Sequence, residues 1–283
     1  MNFLKELETV VKNASNSNPE YIRNLIKELL QDYALNYIYS SEYKFLIFTG
    51  GTCLKKTYGL NRLSEDLDFD IESDYKLDLN QFAQDLAKYF NNLGFSEPNI
   101  RISGNENTIF LKFDISDFKS QLNIDISSNT IYLRCDFSVI NYTGYEIEVN
   151  PINTPNFTFF VKSYSLKTLF ANKIVAFLRR DFYKDGIQQL PFKGRDVYDL
   201  FWLTSLSVKQ SYNLKPNVDV LKSRLKNEDL RNIKEELINK LNQVDVKYIY
   251  DDLLPLVSSN NFLESFLANF RSYLIAQLPN LLI

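Results

Sequence analysis

The chain has no histidine in its 283 residues, only two cysteines, one methionine and one tryptophan. Without imidazole, Ser-His-Asp and Cys-His machinery, HExxH zinc sites and any histidine general base are excluded. Cys53 and Cys135 form no CxxC pair, which points to neither a disulfide framework nor a zinc site. No run reaches ~18 uncharged apolar residues, so no membrane span is expected. The opening MNFLKELETVVKNASNSNPE carries acids and has no apolar h-region, so it does not read as a secretory signal. These absences lead to the expectation of a cytoplasmic protein. There is also little net charge, −3 in all, so a nucleic-acid partner would have to be held by a local basic patch. What remains for chemistry is carboxylates, lysine, arginine, hydroxyls and a hard metal ion.

What is present is ample core material: 45% hydrophobic residues, with 22 Phe and 18 Tyr. Residues 21–39 and 79–94 place apolar side chains at three- and four-residue spacing, as helices do. Phe45–Phe48 reads as a buried strand ended by Gly50-Gly51. TCLKKTYGL after it reads as a short helix stopped at Gly59, and DLDFDIES (66–73) alternates as a strand. Between 97 and 161, IFLKFDISD, LNIDISS, TIYLRCDFSV and YEIEVN are short alternating runs between turn residues, a meandering sheet. From Ser165 the period is helical. The expectation is therefore an α/β domain over 1–160 and a helical domain over 161–283.

Asp66 and Asp68 fall on one face of their strand, with Leu67 and Phe69 on the other. Two neighbouring ionised carboxylates repel, and a divalent cation is the usual compensation; solvated acids on an exposed strand are the plain alternative. Fifteen residues before Asp66, the strand ending in Gly50-Gly51-Thr52 opens a helix. A tight turn with free N–H groups can receive phosphate oxygens. It is not a Walker A loop, because GxxxxGK[ST] is absent. Thr52 reads as a helix N-cap hydroxyl.

TGGTCLKKTYGLNRLSEDLDFDI (49–71) resembles the first motif of nucleotidyltransferases, and more narrowly of the AbiEii/AbiGii toxin family, which includes the mycobacterial MenT toxins. Two later features follow in order: Lys173 in SLKTLFANKIVAFLRR, and KGRDVYDLFWL (193–203) with Asp196 and Asp199. The resemblance implies an α+β fold, a nucleotidyltransferase-like mixed sheet with flanking helices, followed by a C-terminal helical bundle. It implies Mg²⁺ on Asp66, Asp68 and a third carboxylate from a later strand. Asp125 in LNIDIS is the favoured candidate and Asp114 in LKFDIS the second. Gly50, Gly51, Thr52 and Lys173 would meet the nucleotide, and Asp196 would orient Lys173 or accept from the nucleotide. Asp199 reads equally as a structural partner of Arg195 or of a neighbouring lysine.

The resemblance further implies a toxin of a toxin–antitoxin or phage-defence system. It would move NMP from an NTP, CTP or GTP foremost, to RNA, foremost the tRNA 3′ end. It would meet a cognate antitoxin and no membrane, and act as a monomer. Two other readings stand beside it: a nucleotide-binding module of the same fold that transfers nothing, and transfer to a protein or small molecule. Residues 162–196 hold eight basic and three acidic residues, a local charge of +5. Lys162, Lys167, Arg179, Arg180, Lys193 and Arg195 there are the expected RNA contacts.

Overall fold

The computed structural model describes residues 3–14, 17–103, 105, 107–122, 126, 128–180, 182–184, 187–190, 192–208, 214–226 and 228–282. The chain divides into two compact units, Met1–Ile140 with Ile147–Ser163, and Asn141–Glu146 with Tyr164–Ile283.

The first unit begins with helices α1 (Phe3–Asn13) and α2 (Pro19–Tyr39). The second of these starts where the polar stretch ends. The Asn18 side chain accepts from Glu20 N at 2.8 Å, and Pro19 needs no partner for an N–H it lacks. Strand β1 is Ile47–Thr49, later than the apolar run alone indicates, because Glu42–Phe45 winds into a 3₁₀ turn. Helix α3 (Gly50–Tyr58) follows without a linker and stops at Gly59, whose φ of 79° is left-handed. Then come β2 (Asp66–Ile71), α4 (Leu79–Asn92), β3 (Asn99–Ile102), β4 (Thr108–Asp114), α5 (Ser116–Leu122) and β5 (Thr130–Val139). The last strands are β6 (Ile147–Asn153) and β7 (Thr158–Tyr164).

These strands form one mixed sheet in the order β3-β4-β5-β2-β1-β7-β6. The expected meander holds for β3, β4 and β5, which pair antiparallel. After that β5 runs parallel to β2, and β7 runs parallel to β1. Alternation reports which side chains are buried, and it carries no information on the partner strand. The expected strand around LNIDISS lies largely outside the described residues. β7 closes the stretch read as sheet and runs three residues past it, up to the Ser165 where the helical period begins.

One face of the sheet is the core. Leu67, Leu111, Leu133 and Cys135 are fully buried. The Phe69 ring stacks on Phe137 at 5.7 Å, and Phe82 of α4 meets Phe137 edge-on at 5.2 Å. Burying one such aromatic stabilises by about 1.5–3 kcal/mol. The other face of β2 alternates in the opposite phase and carries Asp66, Asp68 and Asp70, all half-buried.

The second unit contains α6 (Leu166–Arg179), the hairpin of β8 (Phe182–Lys184) and β9 (Ile187–Leu190), and α7 (Gly194–Val208). Helices α8 (Val218–Arg224), α9 (Leu230–Gln243), α10 (Val246–Leu253) and α11 (Asn260–Gln277) complete it. Residues 141–146 join this unit through hydrogen bonds such as Glu146 N to Thr168 Oγ1 at 3.0 Å and Asn217 Nδ2 to Gly144 O at 2.9 Å.

Candidate active site

In the first unit, the glycine turn and the acid strand lie against each other. Gly50 has φ +78°, and a Cβ placed on it would stand 2.0 Å from Asp68 Oδ2. Only a residue without a side chain permits this approach. A Cβ on Gly51 would meet Arg62 Nη2 at 2.7 Å and Ser64 Oγ at 2.9 Å. Arg62 and Ser64 are themselves buried, and Arg62 Nη1 donates to Leu63 O at 2.8 Å. The Arg-x-Ser part of the motif is therefore the floor under the turn, a role sequence reading did not assign. Thr52 is fully buried and its hydroxyl donates to the Asp66 carbonyl. Its side chain ties α3 to β2. It is not the N-cap, a position held by Thr49 with no side-chain cap bond.

The parallel register sets Asp66 beside Arg134 and Asp68 beside Asp136. Asp66, Asp68 and Asp136, with Asp70 further along β2, thus share one face of two adjacent strands with the Arg134 guanidinium. Asp136 accepts from Thr108 Oγ1 at 2.6 Å and from Arg134 Nη2 at 3.0 Å. Arg134 Nη1 lies 3.9 Å from Asp66 Oδ2. Burial opposes the charge on Arg134, but Asp66, Asp136 and Asp68 together outweigh it and hold its pKa above the ordinary value. The Cys135 thiol on the core face is pushed up by burial first, and then by Asp136, Asp66 and Asp68.

Among the described residues, the acid level with Asp68 on the neighbouring strand is Asp136, which sequence reading did not name. Its signal lies in TIYLRCDFSV, where Arg134 and Asp136 alternate with buried apolar residues as Asp66 and Asp68 do. Asp125 lies outside the described residues. Asp114 is at the wrong end of β4. It pairs in register with Thr130, whereas Asp136 pairs with Thr108 six residues away, roughly 20 Å along the strand. Asp114 is exposed and accepts from Ser116 N at 2.8 Å and Ser116 Oγ at 2.6 Å, which lowers its pKa.

A divalent cation fits this donor set chemically, since carboxylate oxygens are the ligands hard ions take. Among the described residues no three acids close on one point tightly enough to hold an ion. Arg134 supplies the positive charge there. A cavity of about 480 Å³ opens elsewhere in this unit, beside Glu6, Asp32, Tyr33 and Phe157, and none of the residues named above lines it.

The second unit gathers the later motifs. Lys173 Nζ lies 2.7 Å from Asp199 Oδ2 and 3.9 Å from Asp196 Oδ1. Asp196 and Asp199 are 1% and 0% exposed, and Arg180 Nη1 stands 3.1 Å from Asp196 Oδ2. Lys173 is thus held chiefly by Asp199, where Asp196 was the expected partner. Arg195 pairs with Asp252 through Nη2–Oδ1 at 3.0 Å. Gly194 begins α7, where a Cβ would stand 2.6 Å from Ile249 Cα, so KGRDVYDL is a helix start pressed onto α10.

The basic segment 162–196 is largely neutralised from within. Lys162 pairs with Glu72 at 2.8 Å, and Arg179 pairs with Glu236 and, at 2.8 Å, with Glu228. Lys193 is half-buried, and burial, then Arg180 and Arg195, lower its pKa. Of the six expected RNA contacts, Lys167 and Arg179 are exposed, and Arg179 is already paired with acids. A local charge count cannot see acids that arrive from distant sequence.

A family model described as the nucleotidyl transferase AbiEii toxin of a type IV toxin–antitoxin system matches residues 36–274. The crystal structure of JHP933 from Helicobacter pylori superposes at a TM-score of 0.50 and 19% identity, covering 92% of this chain and 91% of that one. A second H. pylori structure, whose description proposes a nucleotidyltransferase, gives a TM-score of 0.48 and 17% identity over 91% of this chain and 93% of that one. No curated protein matches the sequence.

Proposed function

The chain belongs to the AbiEii family of nucleotidyl transferase toxins, and on that premise we propose the reaction it performs. It moves an NMP unit from an NTP, CTP or GTP foremost, to the 3′ end of an RNA, foremost a tRNA acceptor end. Mg²⁺ would be held by Asp66 and Asp68, with Asp136 beside them on the next strand. The observation that carries this reading is the in-register acid set on β2 and β5, with the Gly50 backbone against Asp68. When bound, the ion would neutralise charge on the triphosphate and on the departing pyrophosphate.

The chain's own groups do the rest. The Gly50-Gly51 turn offers N–H groups at the start of α3 to the terminal phosphates. Asp136, which accepts a hydrogen bond from Thr108, would take the proton of the attacking hydroxyl. The hydroxyl oxygen forms a bond to the α-phosphorus as the bond to the β-phosphate oxygen breaks. The products are RNA one nucleotide longer and pyrophosphate. Lys173 serves the nucleotide phosphates in this reading. The family places the protein in a toxin–antitoxin pair, so a cognate antitoxin is its partner, and defence against phage is the setting we propose.

The test is to incubate the protein with each labelled NTP, Mg²⁺ and total tRNA. Label should enter RNA and should be lost in Asp66→Ala and Asp68→Ala. Label in protein or in a small-molecule fraction, or nucleotide bound and never transferred, would overturn the RNA assignment.

A further inference from the structure

We infer that the outward face of β5, β4 and β3 is the track on which the single-stranded 3′ end of the acceptor RNA lies. This rests on the nucleotidyl-transfer reading above and adds where its second substrate enters.

The order of the strands supplies the direction. The acid strand β2 has β1 on one side and β5 on the other. β1 runs directly into the Gly50-Gly51 turn, so the triphosphate and its leaving end belong on that flank. In phosphoryl transfer the attacking and leaving oxygens lie roughly in line. The attacking hydroxyl therefore belongs on the β5 flank, where Asp136 stands. An RNA whose terminal hydroxyl reaches Asp136 must continue over what lies beyond β5, namely β4 and the edge strand β3.

That face has the chemistry for it. Arg101 of β3, Phe110 of β4, Arg134 of β5 and Asp66 of β2 stand in one cross-strand row. The row spans three interstrand steps, about 14 Å. The Arg101 guanidinium lies 4.3 Å from the Phe110 ring centre, and that of Arg134 lies 5.6 Å from it. The next row is Asn99, Lys112 and Tyr132. Arg101 and Lys112 are exposed, and the Tyr132 ring is 37% exposed. On the described strand positions of this face the acids are Asp136 at one end and Asp114 at the other, with three cations and two rings between them. Rings on a sheet face stack unpaired bases, and interleaved cations neutralise the phosphates. A duplex offers no free base faces to such rings, which selects a single strand. The track also replaces the segment 162–196, where Lys162, Lys173, Arg179, Arg180 and Arg195 are engaged with acids of their own chain.

The experiment measures fluorescence anisotropy of a short 5′-labelled single-stranded RNA with the full chain, without NTP, over a range of salt. Tyr132→Ala should weaken binding roughly five- to hundredfold, the loss expected for one stacked base. Tyr132→Phe, which keeps the ring, should restore it. Arg101→Ala with Lys112→Ala should lower the salt slope by about 1.4, or ~0.7 per phosphate contact. Binding of a non-hydrolysable NTP and the thermal melt should not change in these variants.

Full RNA affinity and slope in both Tyr132→Ala and the double variant would overturn the track, as would a wild-type chain that binds no RNA. Transfer to RNA with an unchanged KM for RNA in these variants would also retire the track while leaving the transfer reading intact. RNA binding lost in the variants, from a protein that transfers no nucleotide, would uphold the track and retire the transfer reading.

Discussion

Asp136 and Asp114 are the same residue type on neighbouring strands of the same sheet face, and their surroundings separate them. Asp136 faces Asp68 in register and is oriented by Thr108; Asp114 is exposed and folds back onto Ser116. Asp136→Asn is expected to reduce nucleotide transfer at least a hundredfold, the lower range for a lost general base. Asp114→Asn should leave transfer near normal. A labelled-NTP assay of the two variants side by side checks this, and equal loss in both would refute the assignment.

Lys173 gives the second prediction at this scale. It compensates two buried aspartates, so Lys173→Ala leaves Asp199 with its closest cation gone. Removing one partner of such a pair costs roughly 3–5 kcal/mol. This differs from a solvated lysine on a helix, for which the change would be within about half a kcal/mol. Lys173→Met combined with Asp199→Asn should recover most of the loss in a denaturant melt. If Lys173 also serves the phosphates, transfer should stay low in that recovered variant.

At the scale of elements, the start of α7 is clamped to α10. Gly194 allows the approach, and Arg195 is bound by Asp252 through its main-chain N at 2.8 Å and its guanidinium at 3.0 Å. Burial alone would raise the Asp252 pKa; Arg195 outweighs it, and the net shift is below the ordinary 3.8. A carboxylate with a depressed folded pKa contributes stability above its unfolded value, and this is lost as pH falls through the folded value. Asp252→Asn should therefore lower the melting temperature at neutral pH, by the equivalent of about 1.5–3 kcal/mol. The gap to the wild type should close below pH 3.8. Thermal melts of the two proteins across that range test it, and a constant gap would rule out the linkage.

At the scale of the molecule, both thiols are completely buried, Cys53 under the glycine turn's helix and Cys135 behind the acid face. The Cys135 thiol is raised by burial and by three nearby carboxylates. Thiolate is the reactive form, so neither cysteine should react with a thiol reagent in the native state. Labelling should appear only as the first unit unfolds, with a denaturant midpoint matching that of circular dichroism. Prompt labelling of either thiol in buffer would contradict this packing. The same scale explains how a chain of net charge −3 could bind RNA. Most cations of the 162–196 segment are spent internally, while Arg101 and Lys112 remain exposed on the sheet face.

By itself the sequence determined the local chemistry: the turn Gly50-Gly51-Thr52, the same-face pair Asp66 and Asp68, the helix stop at Gly59, and the change to helical periodicity after the last strand. Each depends on contacts within a few residues, where side-chain period and backbone freedom are written directly in residue order. Which strand lies beside β2 was decided only by the tertiary structure. Alternation in TIYLRCDFSV shows that Arg134 and Asp136 share a face. Nothing local shows that this strand runs parallel to β2, which brings the two residues level with Asp66 and Asp68. The same holds for the partners of Lys173 and Arg195, and for the acids that neutralise the basic segment. Pairing over long sequence separation is fixed by the packing of the whole sheet and bundle, because only there is the apolar face of each element buried against another.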